Sequence, residues 1–362
     1  MKILHAITLS ELGGAQSVML NLIDKSIEDG HEILVASSQG GALWNELPPI
    51  VVKRPISQLQ HRVKIWKDIQ VVYELYKIYK KFKPDVIHLH SSKIGILGRL
   101  AFPAKKIIYT VHGFDSIRIA HRKFLYLERL LQFRARHIVA VSQYDARNLR
   151  AEGIKNNISC IFNGIPYFSE TFNTVKTENA LLKGKEVVLT GKQFKVLCIA
   201  RLAAPKRFDI FCKAAELLKD EEISFYWVGN KQVVTNTPEN VTCLGEIPNA
   251  HQLLPLVNIF ILPSDYEGMP MSILESLSYG IPVVASNVGG IGEVLDTKNG
   301  YAVTNSGDSF ARYILTYKRD QVLYAQAKLN ATDSYRSKFT VSKMYQSYLS
   351  LYNSVTSTMS PS

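Results

Sequence analysis

The chain has 362 residues, 46% of them apolar, and a net charge of +12. That length supports a large buried core and two domains, and the lack of any run of 18 apolar residues argues against a membrane-spanning helix. Four cysteines (Cys160, Cys198, Cys212, Cys243) show no CxxC spacing and read as reduced, buried thiols of a cytosolic protein. The charge is lopsided: residues 1–165 hold 24 Lys and Arg against 13 Asp and Glu, whereas residues 166–362 hold 19 against 18. Such asymmetry points to an anionic partner for the first half, either nucleic acid or an anionic membrane surface.

In chain order, Lys2–Thr8 reads as a first strand, not as a signal peptide, because His5 and Thr8 interrupt its apolar run. Ala15–Asp29 has helical spacing at Val18, Leu22 and Ile23, and HEILVASS (31–38) is again a strand. A long helix over Lys64–Phe82, strand VIHLHS (86–91), a helix near Lys93–Ala101 and strand KIIYTVHG (106–113) follow. Helix Ile119–Arg134, strand HIVAVS (137–142), a short helix and strand ISCIFNG (158–164) close the first half. A polar, mixed segment from about Tyr167 to Lys192 separates the halves. The rhythm then repeats with FKVLCIA (194–200), helix Phe208–Leu218, SFYWVG (224–229), VTCLG (241–245), a helix near His251–Leu256 and IFILP (259–263). Helix Pro270–Tyr279, strand PVVAS (282–286), a short helix from Gly292 and a helical end complete it, with a final TSTMSPS expected to be disordered. Short apolar strands flanked by helices are buried parallel strands, and two such sets predict two doubly wound α/β domains.

Ligands of open parallel sheets bind beyond the carboxyl ends of the strands, which directs attention to the residues there. The first strand runs into Gly13-Gly14-Ala15-Gln16 at a helix start, where glycine lets backbone N–H groups approach an anion; a tight turn would need the same glycines. No GxGxxG is present, which disfavours a dinucleotide dehydrogenase, and GGIG at 289–292 is only a weak echo of one. FKVLCIA ends at Arg201, with Lys206 five residues on; a planar fork and a mobile point charge at one strand end suit a diphosphate. His112 closes IIYTVHG before Gly113, as a hydrogen-bonding imidazole or a structural one. The stretch SDYEGMPMSILES (264–276) places Glu267 just ahead of a helix, with Pro270 at the first helical position, and Glu275 within that helix. A carboxylate repels phosphate, so the two glutamates fit the hydroxyls of a nucleotide sugar, leaving its phosphates to backbone N–H groups and the cation pair.

Assembled, these residues resemble nucleotide-sugar-dependent, retaining glycosyltransferases of the GT-B fold, family 4 (glycosyltransferase group 1), over essentially the whole chain. The resemblance rests on GGAQ (13–16), HG (112–113), NGI (163–165), ARL…K (200–206) and, most specifically, EGMPMSILE (267–275). It implies two Rossmann-like domains facing a central cleft: an acceptor-binding domain over 1–166, a nucleotide-sugar-binding domain over 167–340, and a last helix within 341–362 that crosses back to the first domain before a disordered tail. It also implies that Glu267 contacts the transferred sugar and Glu275 the ribose hydroxyls. Arg201 and Lys206 would bind the diphosphate, Gly14 would add backbone contacts to it, and His112 would lie beside the sugar. Gly268, Met269 and Pro270 would line the donor between the two glutamates. Two positions depart from the family pattern: Pro166 stands where many relatives have Asp, and Arg207 follows Lys206 where they have Gly.

The implied reaction moves a hexose from a nucleotide sugar, UDP-linked by expectation, to an acceptor hydroxyl with its configuration kept. It needs no cofactor and, since no DxD motif lies in a suitable loop, no metal. A lipid-linked saccharide in O-antigen- or capsule-type polysaccharide synthesis fits the basic first half as acceptor, and would bring a cytoplasmic enzyme to the inner face of the cell membrane. Helix Ile119–Arg134, with Arg122, Lys123, Arg129, Arg134 and surplus apolar residues, is the candidate membrane-facing helix, joined by Lys77–Lys83. A nucleotide-sugar epimerase of the same architecture matches E-x7-E less well. A nucleic-acid-binding protein would show a basic stripe with stacking aromatics or a helix-turn-helix, and neither is evident.

Overall fold

The computed structural model describes residues 1–168, 179–182, 185–189 and 194–357. The chain forms two compact units, Met1–Ile165 with Val341–Ser362, and Pro166–Thr340. The first unit contains β1 (Lys2–Ala6), α1 (Gly14–Glu28), β2 (Glu32–Ser38), α2 (Leu43–Glu46), β3 (Val52–Ile56), α3 (Ile65–Phe82) and β4 (Val86–Leu89). It continues through α4 (Ser92–Ala101), β5 (Ile107–Val111), α5 (Leu125–Leu131), β6 (His137–Ala140), α6 (Gln143–Ala151) and β7 (Ile158–Cys160). The second unit contains the pair β8 (Asn179–Leu182) and β9 (Lys185–Val188), then β10 (Phe194–Ile199), α7 (Phe208–Leu217), β11 (Ile223–Val228), β12 (Val241–Cys243) and β13 (Ile259–Leu262). After these come α8 (Met271–Ser278), β14 (Val283–Ser286), α9 (Ile291–Val294), β15 (Gly300–Val303), α10 (Gly307–Arg319) and α11 (Gln321–Lys338). Helix α12 (Val341–Ser357) belongs by its packing to the first unit.

Both large sheets are parallel and doubly wound, in the orders β3-β2-β1-β4-β5-β6-β7 and β12-β11-β10-β13-β14-β15. The strand order therefore reverses beside β1/β4 in one unit and β10/β13 in the other, the two places where such sheets bind ligands. Central strands are apolar because helices cover both faces: VIHL of β4 and IFIL of β13 are buried at every position.

Edge strands escape that pattern. In β3 (VKRPI), Lys53, Arg54 and Pro55 occupy an edge, where a missing N–H and charged side chains are tolerated, and the sequence offered no apolar run to read. β15 (GYAV), at the opposite edge of the second sheet, is also too short to announce itself. Part of the segment Tyr167–Lys192, taken as a linker, forms the antiparallel pair β8–β9; the rest of it, and the expected disordered tail after α12, lie outside the described residues.

The single helix expected over Ile119–Arg134 is instead a π turn (Ser116–Ala120), a 3-10 turn (Arg122–Phe124), the short α5 and a second 3-10 turn (Gln132–Arg134). Side-chain bonds fix this broken path. Arg99 of α4 is wholly buried, donates to Glu128 at 2.6 Å and lies over the Tyr109 ring, so the only carboxylate of the segment points inward. Arg122 and Arg129 pair with Glu152, and Arg134 donates to the carbonyls of Arg99 and Phe102. Arg122, Arg129 and Arg134 are thus tied into the fold, while Lys123, Tyr126, Leu130 and Phe133 remain exposed.

Helix α12 is fastened to the first unit by tyrosines on its buried stripe. Tyr345 donates to Asp29 at 2.7 Å, Tyr348 shares a bond of 3.0 Å with Thr110, and the Tyr352 hydroxyl meets His88 at 2.9 Å. Buried phenols are tolerated only with such partners, so each bond favours one seating of the helix.

Candidate functional site

In the second unit, the loop after β10 and the loop after β13 are laced together. Lys206 and Ser264 form an antiparallel bridge, Arg207 N–H donates to the Pro263 carbonyl at 3.1 Å, and Asp265 N–H donates to Pro205 at 3.0 Å. Arg207 adds ion pairs to Asp209 and Asp265, which gives this departure from the family pattern a bracing role of its own. Lys206 is consequently held against Glu267, and the two largely buried side chains form a short ion pair. The cation expected at a diphosphate and the carboxylate expected at a sugar thus hold each other. Arg201, earlier in the same loop after β10, is exposed and makes no side-chain bond among the described residues.

The Glu267 turn is clamped from its other side by the loop after β14. Gly290 N–H donates to the Gly268 carbonyl at 2.9 Å. Gly289 has φ +57°, and a Cβ placed on it would lie 1.7 Å from the Glu267 carbonyl oxygen. Only glycine fits there, so GGIG (289–292) acts on the site through the Glu267 backbone, a role its weak likeness to a dinucleotide motif did not disclose.

Gly268, Met269 and Pro270 are buried, and Pro270 caps α8 in an extended conformation (ψ 126°), so that the helix begins at Met271 and not, as expected, at Pro270. Within α8, Ile273, Leu274 and Leu277 face the core, while Ser272, Glu275 and Tyr279 share the opposite stripe. Glu275 is half-buried and without a hydrogen-bond partner among the described residues; burial pushes its carboxyl up to about 7. An unpartnered carboxylate within α8 retains free acceptor positions, the chemistry that hydroxyl donors require.

In the first unit, Gly14 is the first residue of α1, preceded by the extended cap Gly13, and both are exposed. Gln16 donates to the Leu9 carbonyl at 2.8 Å, and Ser10 Oγ accepts the Gly41 N–H at 2.9 Å. Gly41 comes so near the Ser10 carbonyl carbon that a Cβ would lie 2.1 Å from it. The glycine turn is therefore positioned by a buried serine and a second glycine that its sequence did not flag.

His112 closes β5, half-buried, with its Nε2 3.3 Å from His90 Nδ1. His90 Nε2 meets His5 Nδ1 at 3.0 Å, and His88 faces His5 in the β1–β4 register. Burial lowers all four rings, His112 to about 4 and His5 to about 3, so they are neutral at pH 7. Sequence reading singled out His112 alone. The signal for the rest was the His-x-His of VIHLHS beside His5, three imidazoles that adjacent central strands must bring to one place. His5, His88 and His90 stand close enough to share a metal ion, but both nitrogens of His88 are committed, to Tyr352 at 2.9 Å and Thr110 at 2.8 Å.

Comparison with known proteins places this geometry. Residues 12–167 match the family model described as Glycosyltransferase Family 4, and residues 193–320 that described as Glycosyl transferases group 1. The chain is 28% identical, over 97% of its length and 96% of the relative's, to the Escherichia coli UDP-Gal:alpha-D-GlcNAc-diphosphoundecaprenol alpha-1,3-galactosyltransferase. It is 28% identical, over 78% of its length and 80% of the relative's, to a Campylobacter jejuni N,N'-diacetylbacillosaminyl-diphospho-undecaprenol alpha-1,3-N-acetylgalactosaminyltransferase. Its fold is similar to that of Anabaena HepE in complex with UDP and glucose, at TM-score 0.79 and 21% identity, over 98% of this chain and all of the other. With two Rossmann-like units, strand-end residues in the family's pattern and both halves matched, the chain belongs to the group 1 glycosyltransferases of the GT-B fold, family 4.

Proposed function

We propose that this glycosyltransferase moves a hexose from a UDP-sugar to a hydroxyl of a lipid-linked saccharide in surface-polysaccharide synthesis, with retention of configuration and without a metal. The observation that carries the reading is the Lys206–Glu267 ion pair at the turn that leads into α8, the helix that holds the unpartnered Glu275: a cation and a carboxylate for phosphate and sugar, and a second carboxylate for ribose hydroxyls. The two relatives named above, one using UDP-Gal and both acting on diphosphoundecaprenol-linked sugars, support the donor and the acceptor.

In this reading Glu275 accepts from the ribose, backbone around Gly268, Met269 and Pro270 lines the donor, and Arg201 with Lys206 takes the diphosphate. Lys206 exchanges Glu267 for phosphate, which frees Glu267 for the sugar. The glycosidic C–O bond to the diphosphate breaks as the acceptor oxygen bonds to the same face of the anomeric carbon. The acceptor proton passes to the departing phosphate oxygen, and the two cations stabilise the charge that develops. Gly14 and His112 take the roles the family resemblance gives them, at the phosphates and the sugar.

The anionic partner of the basic first unit is the inner membrane leaflet. Helix α3 carries the larger part of that contact: Trp66 (82% exposed), Ile69, Tyr73 and Tyr76 form an apolar stripe, with Lys77 and Lys80 lying over the Tyr73 and Tyr76 rings. Stripe and cations together fit a headgroup region, each cation contributing roughly 1 kcal/mol.

The test is thermal-shift screening with UDP, GDP, ADP and dTDP, followed by transfer from UDP-hexoses to a synthetic lipid-diphosphate saccharide with and without EDTA, and NMR of the product anomer. A dominant UDP shift, EDTA-resistant transfer and a retained anomer are expected. An inverted anomer or EDTA-sensitive transfer would overturn the mechanism, and an epimerised nucleotide sugar formed without acceptor would restore the epimerase.

A further inference from the structure

The array His5–His90–His112 is a continuous hydrogen-bonded chain whose two ends have no partner. His5 Nδ1 to His90 Nε2 is 3.0 Å and His90 Nδ1 to His112 Nε2 is 3.3 Å, whereas the buried atoms His5 Nε2 and His112 Nδ1 bond to nothing among the described residues. Three neutral imidazoles own six ring nitrogens and three protons. Each internal bond uses one proton, so the third must sit at one end or the other, and its choice sets every tautomer along the chain.

Enclosure decides which end. His5 lies within β1 with no solvent exposure, and its Nε2 is enclosed in the sheet core. His112 follows the carboxyl end of β5, the end of a parallel strand where ligands bind, and the residue is half-buried although its Nδ1 is covered in this structure. A buried N–H without an acceptor is the rarer and worse orphan, so the proton belongs at the end where an acceptor can arrive. His5 Nδ1–H then donates to His90 Nε2, His90 Nδ1–H donates to His112 Nε2, and His112 is left with Nδ1–H.

We propose that His5 and His90 are positioning residues that hold His112 as a neutral Nδ1–H donor, aimed at an oxygen of the transferred sugar. This rests on the reading above that His112 meets that sugar. Without the relay, a neutral imidazole is free to carry its proton on Nε2 and to present Nδ1 as an acceptor, which repels the same oxygen. His88 stands beside the relay but outside it, its own two bonds directed to Tyr352 and Thr110.

The test is 15N NMR of the histidine-labelled, ligand-free chain at pH 7.5, in which protonated and bare ring nitrogens resolve. His112 should show a protonated Nδ1 and a bare Nε2; the reverse pattern overturns the proposal. His90→Asn keeps an N–H donor near the position of Nδ1 and should preserve both the tautomer and transfer, the latter to within about threefold. His90→Leu should release the tautomer and lower transfer about tenfold, the weight of one neutral hydrogen bond, with UDP affinity unchanged. A folded His90→Leu chain that keeps the Nδ1–H tautomer would also overturn it. Because the spectrum needs no substrate, failure of the wild-type chain to transfer sugar would sink the proposed function and leave the tautomer to be judged by the spectrum.

Discussion

Replacing Glu275 by Gln should stabilise the protein and impair it at once. Burial lifts the Glu275 carboxyl from 4.5 to about 7. A folded-state value above the unfolded one means that the native chain holds the proton more tightly, so ionisation costs stability. The penalty is absent below about pH 4.5, grows through the interval, and is complete above pH 7. At ~1.36 kcal/mol per pH unit the gap amounts to about 3 kcal/mol, an upper figure because the side chain retains some solvent. Gln has the same shape and no charge to desolvate, but its amide also wants partners, so a gain of about 1 to 2 kcal/mol at pH 8 is expected. That is several degrees in melting temperature for a unit of this size. Calorimetry at pH 8 and pH 4.5 should show the gain at the first and none at the second. The same variant should bind UDP roughly tenfold or more weakly, because a charged acceptor of two ribose hydroxyls has become a neutral one. Equal stability of variant and wild type at pH 8, or a gain that ignores pH, would show that Glu275 is not an uncompensated carboxylate.

Lys206→Ala should lower transfer by about 2 to 4 kcal/mol of transition-state stabilisation, the worth of one preorganised charge donor, whereas Glu267→Gln should leave UDP affinity intact and impair only transfer of the sugar; titration calorimetry beside turnover separates them, and equal losses of UDP affinity would refute the division. The histidine array predicts an early acid weakening of the first unit. Rings lowered to about 3 (His5) and about 4 (His112) bind fewer protons folded than unfolded, so stability is lost as pH falls below 6.5, by about 2 kcal/mol for each of these two rings at pH 5. Hydrogen exchange at pH 7.5 and pH 5 should show the β1–β4–β5 core opening first, and unchanged protection there would refute it.

The alternation of strands and helices was legible because buried parallel strands are apolar at every position, and strand ends could be searched for ligand groups before any geometry was known. Legibility failed where side chains answer to distant partners. Glu128 looks like the lone acid on a basic surface helix, yet the buried Arg99, 29 residues away, draws it inward and breaks the helix. β3 was hidden because an edge strand can carry Lys53, Arg54 and Pro55. The Lys206–Glu267 pair joins two motifs that were each recognised, but 61 residues of sequence separate them and neither spacing nor composition encodes their contact. The role of GGIG is of the same kind, since a glycine demanded by another loop's carbonyl leaves no local pattern.

The site follows a single electrostatic logic. Lys206 and Glu267 are both largely buried, and either alone would be an uncompensated charge; paired, they keep the site near neutral until a donor arrives. In the proposed function, a nucleotide sugar brings the negative charge for Lys206, ribose hydroxyls for Glu275 and sugar hydroxyls for Glu267, so that the donor replaces one internal ion pair with several bonds to itself. Glu275 has no such partner among the described residues, and burial raises its pKa. A loop braced by Arg207 on one side and by Gly289 on the other holds the Glu267 turn in place, so that in the proposed function Lys206 can turn to the phosphates without displacing Glu267. The bracing residues lie outside the family's chemistry-bearing pattern, yet on the proposed function they decide whether the exchange releases the carboxylate toward the sugar.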